Sequence, residues 1–240
     1  MKILGIDTSG LVASAAVVED DNLLGEYTIN YEKTHSETLL PMVDELVQRL
    51  SLDLNDLDAI AVANGPGSFT GLRIGCATVK GMGLALNKPV VGVPTLDALA
   101  YNLWGMQNLI CPIMDARRDQ VYTGLYRFVK IADDFYMGTV LMQCAIGIDE
   151  LIEKINRFGA DVTFLGDGVP VYDEYIKENC HAPFSFAPAN MNKQRAASVA
   201  ALGGVYFKEG KAKSADALKI DYLRLSQAER ERNERLSGAS

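Results

Sequence analysis

The sequence predicts a duplicated α/β fold, two β-β-β-α-β-α-β-α units, from three observations. Short apolar runs parted by turn formers open the chain, single buried strands then alternate with helix-length segments, and the same order returns from Leu109 onward. In the first half the opening runs are "MKILGID", "VASAAVVE" and "LLGEYTIN". Thr8-Ser9-Gly10 and Asp20-Asp21-Asn22 separate them, which reads as an antiparallel meander. "THSETLLPMVDELVQRL" carries Leu39, Val43, Leu46 and Leu50 at helical spacing, with Thr34 and Glu37 placed for a capping box. Pro41 falls inside that helix if Thr34 is the cap, so the helix either starts nearer Thr38 or is kinked. "LDAIAVAN" follows as a buried strand, "FTGLRIGCATVKGMGLAL" as a helix bounded by Asn87 and Pro89, "PVVGV" as a short strand and "TLDALAYNLW" as a helix.

In the second half "LICPIMD", "QVYTGLYRF" and "FYMGTVLMQ" are the three opening strands. "DELIEKINRF" is a helix, "DVTFLG" a strand, "PVYDEYIKE" a short helix, "FSFA" a weak strand and "NKQRAASVAALGGVYFKEG" a longer helix ending at Gly210. No residue-by-residue repeat accompanies this order, so the duplication rests on the elements alone. Two such units side by side make the actin-like fold, also called ASKHA or ribonuclease H-like, of sugar kinases and their relatives. The expected division is an N-terminal domain over 1–104 and a C-terminal domain over 105–240, with a charged C-terminal tail that returns to the first. In that tail Glu229, Glu231 and Glu234 alternate with Arg230, Arg232 and Arg235, as in a solvated helix or a frayed end.

With 240 residues, of which 48% are hydrophobic, the chain can bury roughly 70–75% of its unfolded surface, enough for one large or two modest domains. A net charge of −8 argues against autonomous binding of nucleic acid, which calls for a basic stripe. The apolar runs break well short of the ~18 residues of a membrane span, and Asp7 interrupts the start before a signal-peptide core develops. A cytoplasmic location is expected. Cys76, Cys111, Cys144 and Cys180 form no C-x-x-C pair and read as reduced, mostly buried thiols. His35 and His181 make neither H-x-x-x-H nor H-E-x-x-H, too few ligands for a histidine-based metal site. No G-x-S-x-G elbow is present. Nothing in these residues calls for a cofactor, a metal or a set of catalytic residues.

Three motifs carry candidate chemistry. Asp7-Thr8-Ser9-Gly10 matches the first hairpin of actin-like ATPases, where an aspartate serves phosphate and magnesium. The alternative is that Asp7 only initiates a turn, and the glycine is displaced by one from its usual place. "ANGPGSFTG" lies at the carboxyl end of a strand, where Gly65, Gly67 and Ser68 could cradle phosphate. The same residues could instead make a strand-to-helix turn in which Ser68 caps the helix. Neither the nucleotide loop nor the dinucleotide fingerprint fits, since Leu72 and Arg73 follow Gly71 and Thr70 stands where a third glycine belongs. "MDARRDQVY" occupies the second phosphate-loop position but has Arg117 and Arg118 in place of glycine. Its arginines can bind an anion or pair with a carboxylate, and the loop is unsuited to hydrolysis.

The helix after the glycine loop is apolar or small on nearly every face, with Arg73 and Lys80 its only charges, so it has to be covered on both sides. Gly71 and Gly75, one turn apart, would admit another helix closely; the alternative is that the helix is buried wholly within this chain.

"GIDTS", "THSETLLPMVDELV", "NGPGSFTGLRIG", "MDARRDQVY" and "YLRLSQAERE" together resemble the bacterial TsaB family, formerly YeaZ, over nearly the entire chain. That family is similar to TsaD, the catalytic subunit that transfers threonylcarbamoyl to adenosine in tRNA, and older usage calls both glycoproteases. The resemblance implies a non-catalytic scaffold subunit that pairs with TsaD through the helices over 36–50 and 68–86. It implies TsaE, an ATPase, as a further partner, adenylate supplied by TsaC, and contact with tRNA only through the complex. It also implies a homodimer through the same face when TsaD is absent. The candidate interface is then Leu39, Met42, Val43 and Leu46 with Gly71, Leu72, Gly75, Cys76, Ala77 and Val79. The competing readings are an actin-like ATPase or small-molecule kinase using Asp7 and the 65–71 loop, and a peptidase.

Overall fold

The computed structural model describes residues 1–30 and 35–224. Its strands form two five-stranded sheets of matching topology. The first, ordered β3-β2-β1-β4-β5, is built from β1 (Lys2–Asp7), β2 (Ala13–Glu19), β3 (Asn22–Ile29), β4 (Ala59–Ala63) and β5 (Val90–Val93). The second, ordered β10-β9-β6-β7-β8, is built from β6 (Leu109–Asp115), β7 (Gln120–Ile131), β8 (Asp134–Gly147), β9 (Val162–Leu165) and β10 (Phe184–Phe186). In each sheet the first strand pairs antiparallel with the second and parallel with the fourth. This is the duplicated actin-like fold, with both units in the predicted order.

The helices are α1 (His35–Leu50), α2 (Phe69–Ala85), α3 (Thr95–Tyr101), α4 (Ile148–Phe158), α5 (Val169–Asn179) and α6 (Ala196–Lys208). On one face of the first sheet, α1 and α2 set Leu39, Val43, Leu46, Cys76 and Val79 against Leu4, Ile6, Ile60 and Val62. The second sheet repeats this, with Leu151, Ile155, Tyr172 and Ile176 of α4 and α5 packed on Ile113 and Phe164. The remaining helices cross over. α6 lays Val199, Ala200 and Leu202 on Ile3, Ala61 and Val93 of the first sheet, while α3 packs Leu96 and Leu99 against Ile110, Tyr126 and Phe128 of the second. A cut at 104/105 therefore divides the strands but not the helices. Periodicity could not reveal this: "TLDALAY" and "AASVAALGGVYFK" are apolar nearly all round, which says that they are covered on two sides and not by what.

A carboxylate sits inside this crossover. Asp97 of α3 accepts hydrogen bonds from the hydroxyls of Tyr126 on β7 at 2.7 Å and Tyr206 on α6 at 2.8 Å. Asn102, which ends α3, donates to the carbonyls of Met191 (2.8 Å) and Lys193 (2.7 Å) and accepts from Ser198 Oγ at 2.6 Å.

After α6 the chain returns to the first sheet. Lys213 bridges to Val90, Ala215 and Leu218 join the first core, and the Asp221 amide donates to Asn64 O at 2.8 Å. The Thr34 capping box and the charged run over 229–235 fall outside the described residues. Helix α1 starts at His35 and continues through Pro41, whose ring leaves the Glu37 carbonyl without its helical donor.

Candidate functional site

Loops at the carboxyl ends of β1, β4, β6 and β9 converge on a cleft of about 580 Å³ between the sheets. One wall carries Ser9, Gly10 and residues 66–69; the other carries Asp115, Ala116, Arg117 and Asp167; residues 221–224 line it too. The fold thus brings together the motifs "DTSG", "GPGS" and "MDARRD", which are far apart in sequence.

The phosphate-cradle candidates are largely occupied by the protein itself. Asp7 lies buried beneath the floor, and its Oδ1 accepts from the Ser9 amide at 2.8 Å and Ser9 Oγ at 2.6 Å, an Asx turn. Thr8 is buried and its hydroxyl donates to Gly71 O at 2.7 Å. Ser68 caps α2, its Oγ accepting from the Gly71 amide at 3.3 Å, and its own amide donates to Ser9 O at 2.6 Å. Gly65 has φ +129°, and a Cβ there would lie 2.1 Å from Asp221 O; a Cβ on Gly67 would lie 2.3 Å from Ser9 O. These glycines make room for backbone carbonyls of this chain. The Gly65–Pro66 peptide is cis.

Burial pushes the Asp7 carboxyl up to about 6, against the opposing pull of the two Ser9 hydrogen bonds and of His35. Burial also raises Asp167, opposed by the Lys193 charge and by a hydrogen bond from the Asp115 backbone, with the Asp115 charge adding a smaller upward push, and its Oδ1 is buried without a partner. His35 donates through Nε2 to Gly10 O at 2.8 Å, fixing α1 to the hairpin, so this histidine holds backbone. Among the described residues, no group of three or more His, Cys, Asp or Glu side chains is arranged to hold a metal ion. All four cysteines are free, and burial pushes Cys76 up to about 11 and Cys111 up to about 12, far from a reactive thiolate.

The Asp7 shift has a testable sign. Between about pH 4 and pH 6 the native carboxyl holds a proton that the unfolded one has released, so stability falls as pH rises through that window. Asp7→Asn keeps an acceptor for Ser9 and removes the charge. It should raise stability at pH 7 by about 1–2 kcal/mol and converge with wild type below about pH 4. Urea unfolding at a series of pH values checks this.

In the second hairpin Arg117, Arg118 and Asp119 all take positive φ, 65°, 57° and 56°, without a glycine among them. Arg117 Nε lies 3.7 Å from Asp115 Oδ2, so it pairs with a carboxylate of its own hairpin, and both arginines are exposed. Because a left-handed L-residue carries about 1–2 kcal/mol of strain, Arg118→Gly should raise stability by about 0.5 kcal/mol after glycine's entropy is subtracted, measurable by denaturant unfolding.

The expected interface positions need correction. Leu39, Met42, Val43, Leu46, Leu72, Cys76 and Val79 are buried within this chain. Gly71 and Gly75 are buried too, and they admit the first hairpin, not a second helix: a Cβ at either would lie 2.0 Å from Thr8 O or 2.3 Å from Thr8 Oγ1. The regular spacing that made them conspicuous marks the inward stripe. Ala77 alone of that set points out, in an exposed row with Thr70, Arg73, Gly81 and Leu84. Beside it α1 exposes Leu40, Pro41, Asp44 and Glu45.

Sequence reasoning missed Asp97 and Asp167, and it quoted the segment from Tyr222 only for its resemblance, without a place in the site. A lone charge inside the apolar "TLDALAY" was the available signal for the first. The others acquire meaning only through partners far away in the chain.

The family model for TsaD, described as tRNA N6-adenosine threonylcarbamoyltransferase, matches residues 22–231. The chain is 34% identical over 229 residues to the tRNA threonylcarbamoyladenosine biosynthesis protein TsaB of Bacillus subtilis (strain 168), covering 95% of this chain and 96% of that one. It is 32% identical over 189 residues to the protein of the same name from Haemophilus influenzae, covering 75% and 77%. A solved structure from Pseudomonas aeruginosa, described as an uncharacterized protein with similarity to peptidase YeaZ, superposes with a TM-score of 0.77 at 26% identity, covering 93% of this chain and 99% of that one. A second, of YeaZ from the same organism, gives 0.75 at 25% identity, covering 92% and 99%. With the same two-sheet topology and near full-length similarity, the chain carries a TsaD-type domain and belongs to the TsaB (YeaZ) family.

Proposed function

We propose that this chain is a non-catalytic subunit of the machinery that makes threonylcarbamoyladenosine in tRNA, and that it binds and supports TsaD through the outward faces of α1 and α2. The observation that carries this reading is the exposed row on α2, small and apolar from Ala77 through Gly81 to Leu84, continued on α1 by Leu40 and Pro41. Leu84 is 59% exposed and Leu40 on α1 is 54% exposed, side chains that a free surface gains nothing by presenting. A pairing of this kind buries on the order of 1,600 Å² in total, with an apolar centre and charges such as Asp44 and Glu45 at its rim. The same face pairs two copies of this chain when TsaD is absent. TsaE joins the assembly, tRNA is held through the other subunits because this chain is acidic, and the complex works in the cytoplasm.

The second reading, an actin-like ATPase or small-molecule kinase, draws on one observation: Asp7 is kept buried beside the cleft at a cost in stability, which suits a site retained for a ligand. Against it, the glycine loop is filled by Ser9 and Asp221 carbonyls, and Arg117, a cation of the cleft, is paired with Asp115. Calorimetry separates the two. The scaffold predicts saturable heat on titrating TsaD, with no saturable heat and no turnover with magnesium and ATP. Robust ATP turnover that Asp7→Ala abolishes would refute it.

A further inference from the structure

The two sheets are joined in two places. One is the crossover of α3 and α6, held by Asp97 and Asn102. The other is the segment over 221–224, which lines the cleft. On the first-sheet side, the Asp221 amide donates to Asn64 O at 2.8 Å, and the Tyr222 ring stacks on Phe69 with centroids 4.6 Å apart. The Tyr222 hydroxyl accepts from Arg73 Nε at 3.2 Å. On the second-sheet side, Gln143 Nε2 donates to Asp221 Oδ2 at 2.9 Å and Arg224 Nη1 donates to Ala116 O at 2.8 Å. Ala116 begins the hairpin turn of left-handed residues, which the Ala116 amide closes on Gln120 O at 2.9 Å. Arg73, whose guanidinium lies 3.9 Å over the Phe69 ring, also belongs to the exposed row of α2.

One run of contacts therefore leads from the outward face of α2, through Arg73 and Tyr222, along three residues of backbone, to a strained hairpin on the other sheet. We propose that residues 221–224 are a latch coupling the α2 face to the 115–120 hairpin. With Tyr222 seated on Phe69 and Arg73, Arg224 steadies the hairpin and the segment spans one side of the cleft. A partner that draws Arg73 into an ion pair unseats Tyr222, and the hairpin loosens with it. That last step rests on reading the α2 face as a docking surface; the latch itself does not. The segment suits the task because its contacts are an open stack and partly exposed hydrogen bonds, the kind that open locally without unfolding a core.

Hydrogen exchange on the full chain, without a partner, tests it. Arg224→Ala, Tyr222→Ala and Arg73→Ala should each speed exchange of the 116–120 amides by about 5-fold or more, with α4 and β10 unchanged. Arg73 makes the decisive variant, since it contacts Phe69 and Tyr222 on the first-sheet side and, among the described residues, is joined to the hairpin through the segment. If Arg224→Ala alone loosens the hairpin, Arg224 is a local peg and the coupling is refuted. No change in any variant, or a rise spread equally over α4 and β10, refutes it too. A failure of TsaD pairing would leave this result untouched, and a failure here would leave pairing untouched.

Discussion

Asp97→Ala lowers stability by about 3–4 kcal/mol, because it strands two phenol hydroxyls at the crossover of α3, β7 and α6. Tyr126 is fully buried, so its hydroxyl loses its acceptor where water cannot replace it. Burial raises the Asp97 carboxyl while the two phenols pull it back, so removing the charge recovers part of the loss. Asp97→Asn should cost only about 1 kcal/mol, since the amide oxygen still accepts from one phenol. Denaturant unfolding of both variants and of Tyr126→Phe, with near-ultraviolet circular dichroism, checks the ranking. Equal stability of Asp97→Ala and wild type would show that the crossover is held by apolar packing alone.

The fold was legible because its signals are local. Apolar runs such as "AIAVA" and turn formers such as Thr8-Ser9-Gly10 announce strands and their ends, and an element order repeated twice announces the duplication. The crossover of α3 and α6 was not legible, since an all-round apolar helix does not say which sheet covers it. The candidate site divides in the same way. Ser68 as a helix cap and Asp7 as a turn former follow from residue type and position. The filling of Gly65 by Asp221 O, 156 residues later in the chain by number, depends on tertiary return that no spacing encodes. At the surface the stripe itself misled. Leu39, Val43 and Leu46 stand at the spacing of an apolar face, and that face serves the core of their own sheet. What a partner can touch on α1 and α2 is the complement of that stripe, where small residues such as Ala77 carry almost no periodic signal.

Ala77→Glu tests this geometry with the largest expected effect on association. Ala77 is exposed in the isolated chain, so a glutamate there leaves folding intact, whereas a charge at Leu39, 1% exposed, should unfold the first core. Within a closed interface the same carboxylate is desolvated without a partner and should weaken binding by about 3–5 kcal/mol, more than about 100-fold in Kd. Circular dichroism and thermal unfolding should show the variant folded as wild type. The decisive measurement is a calorimetric titration of TsaD with folded wild-type and Ala77→Glu protein, with sedimentation of each protein alone to follow self-association. The account predicts saturable binding by wild type and loss of both associations in the variant. Wild-type affinity of the folded variant for TsaD would contradict it and place any interface away from the outward face of α2.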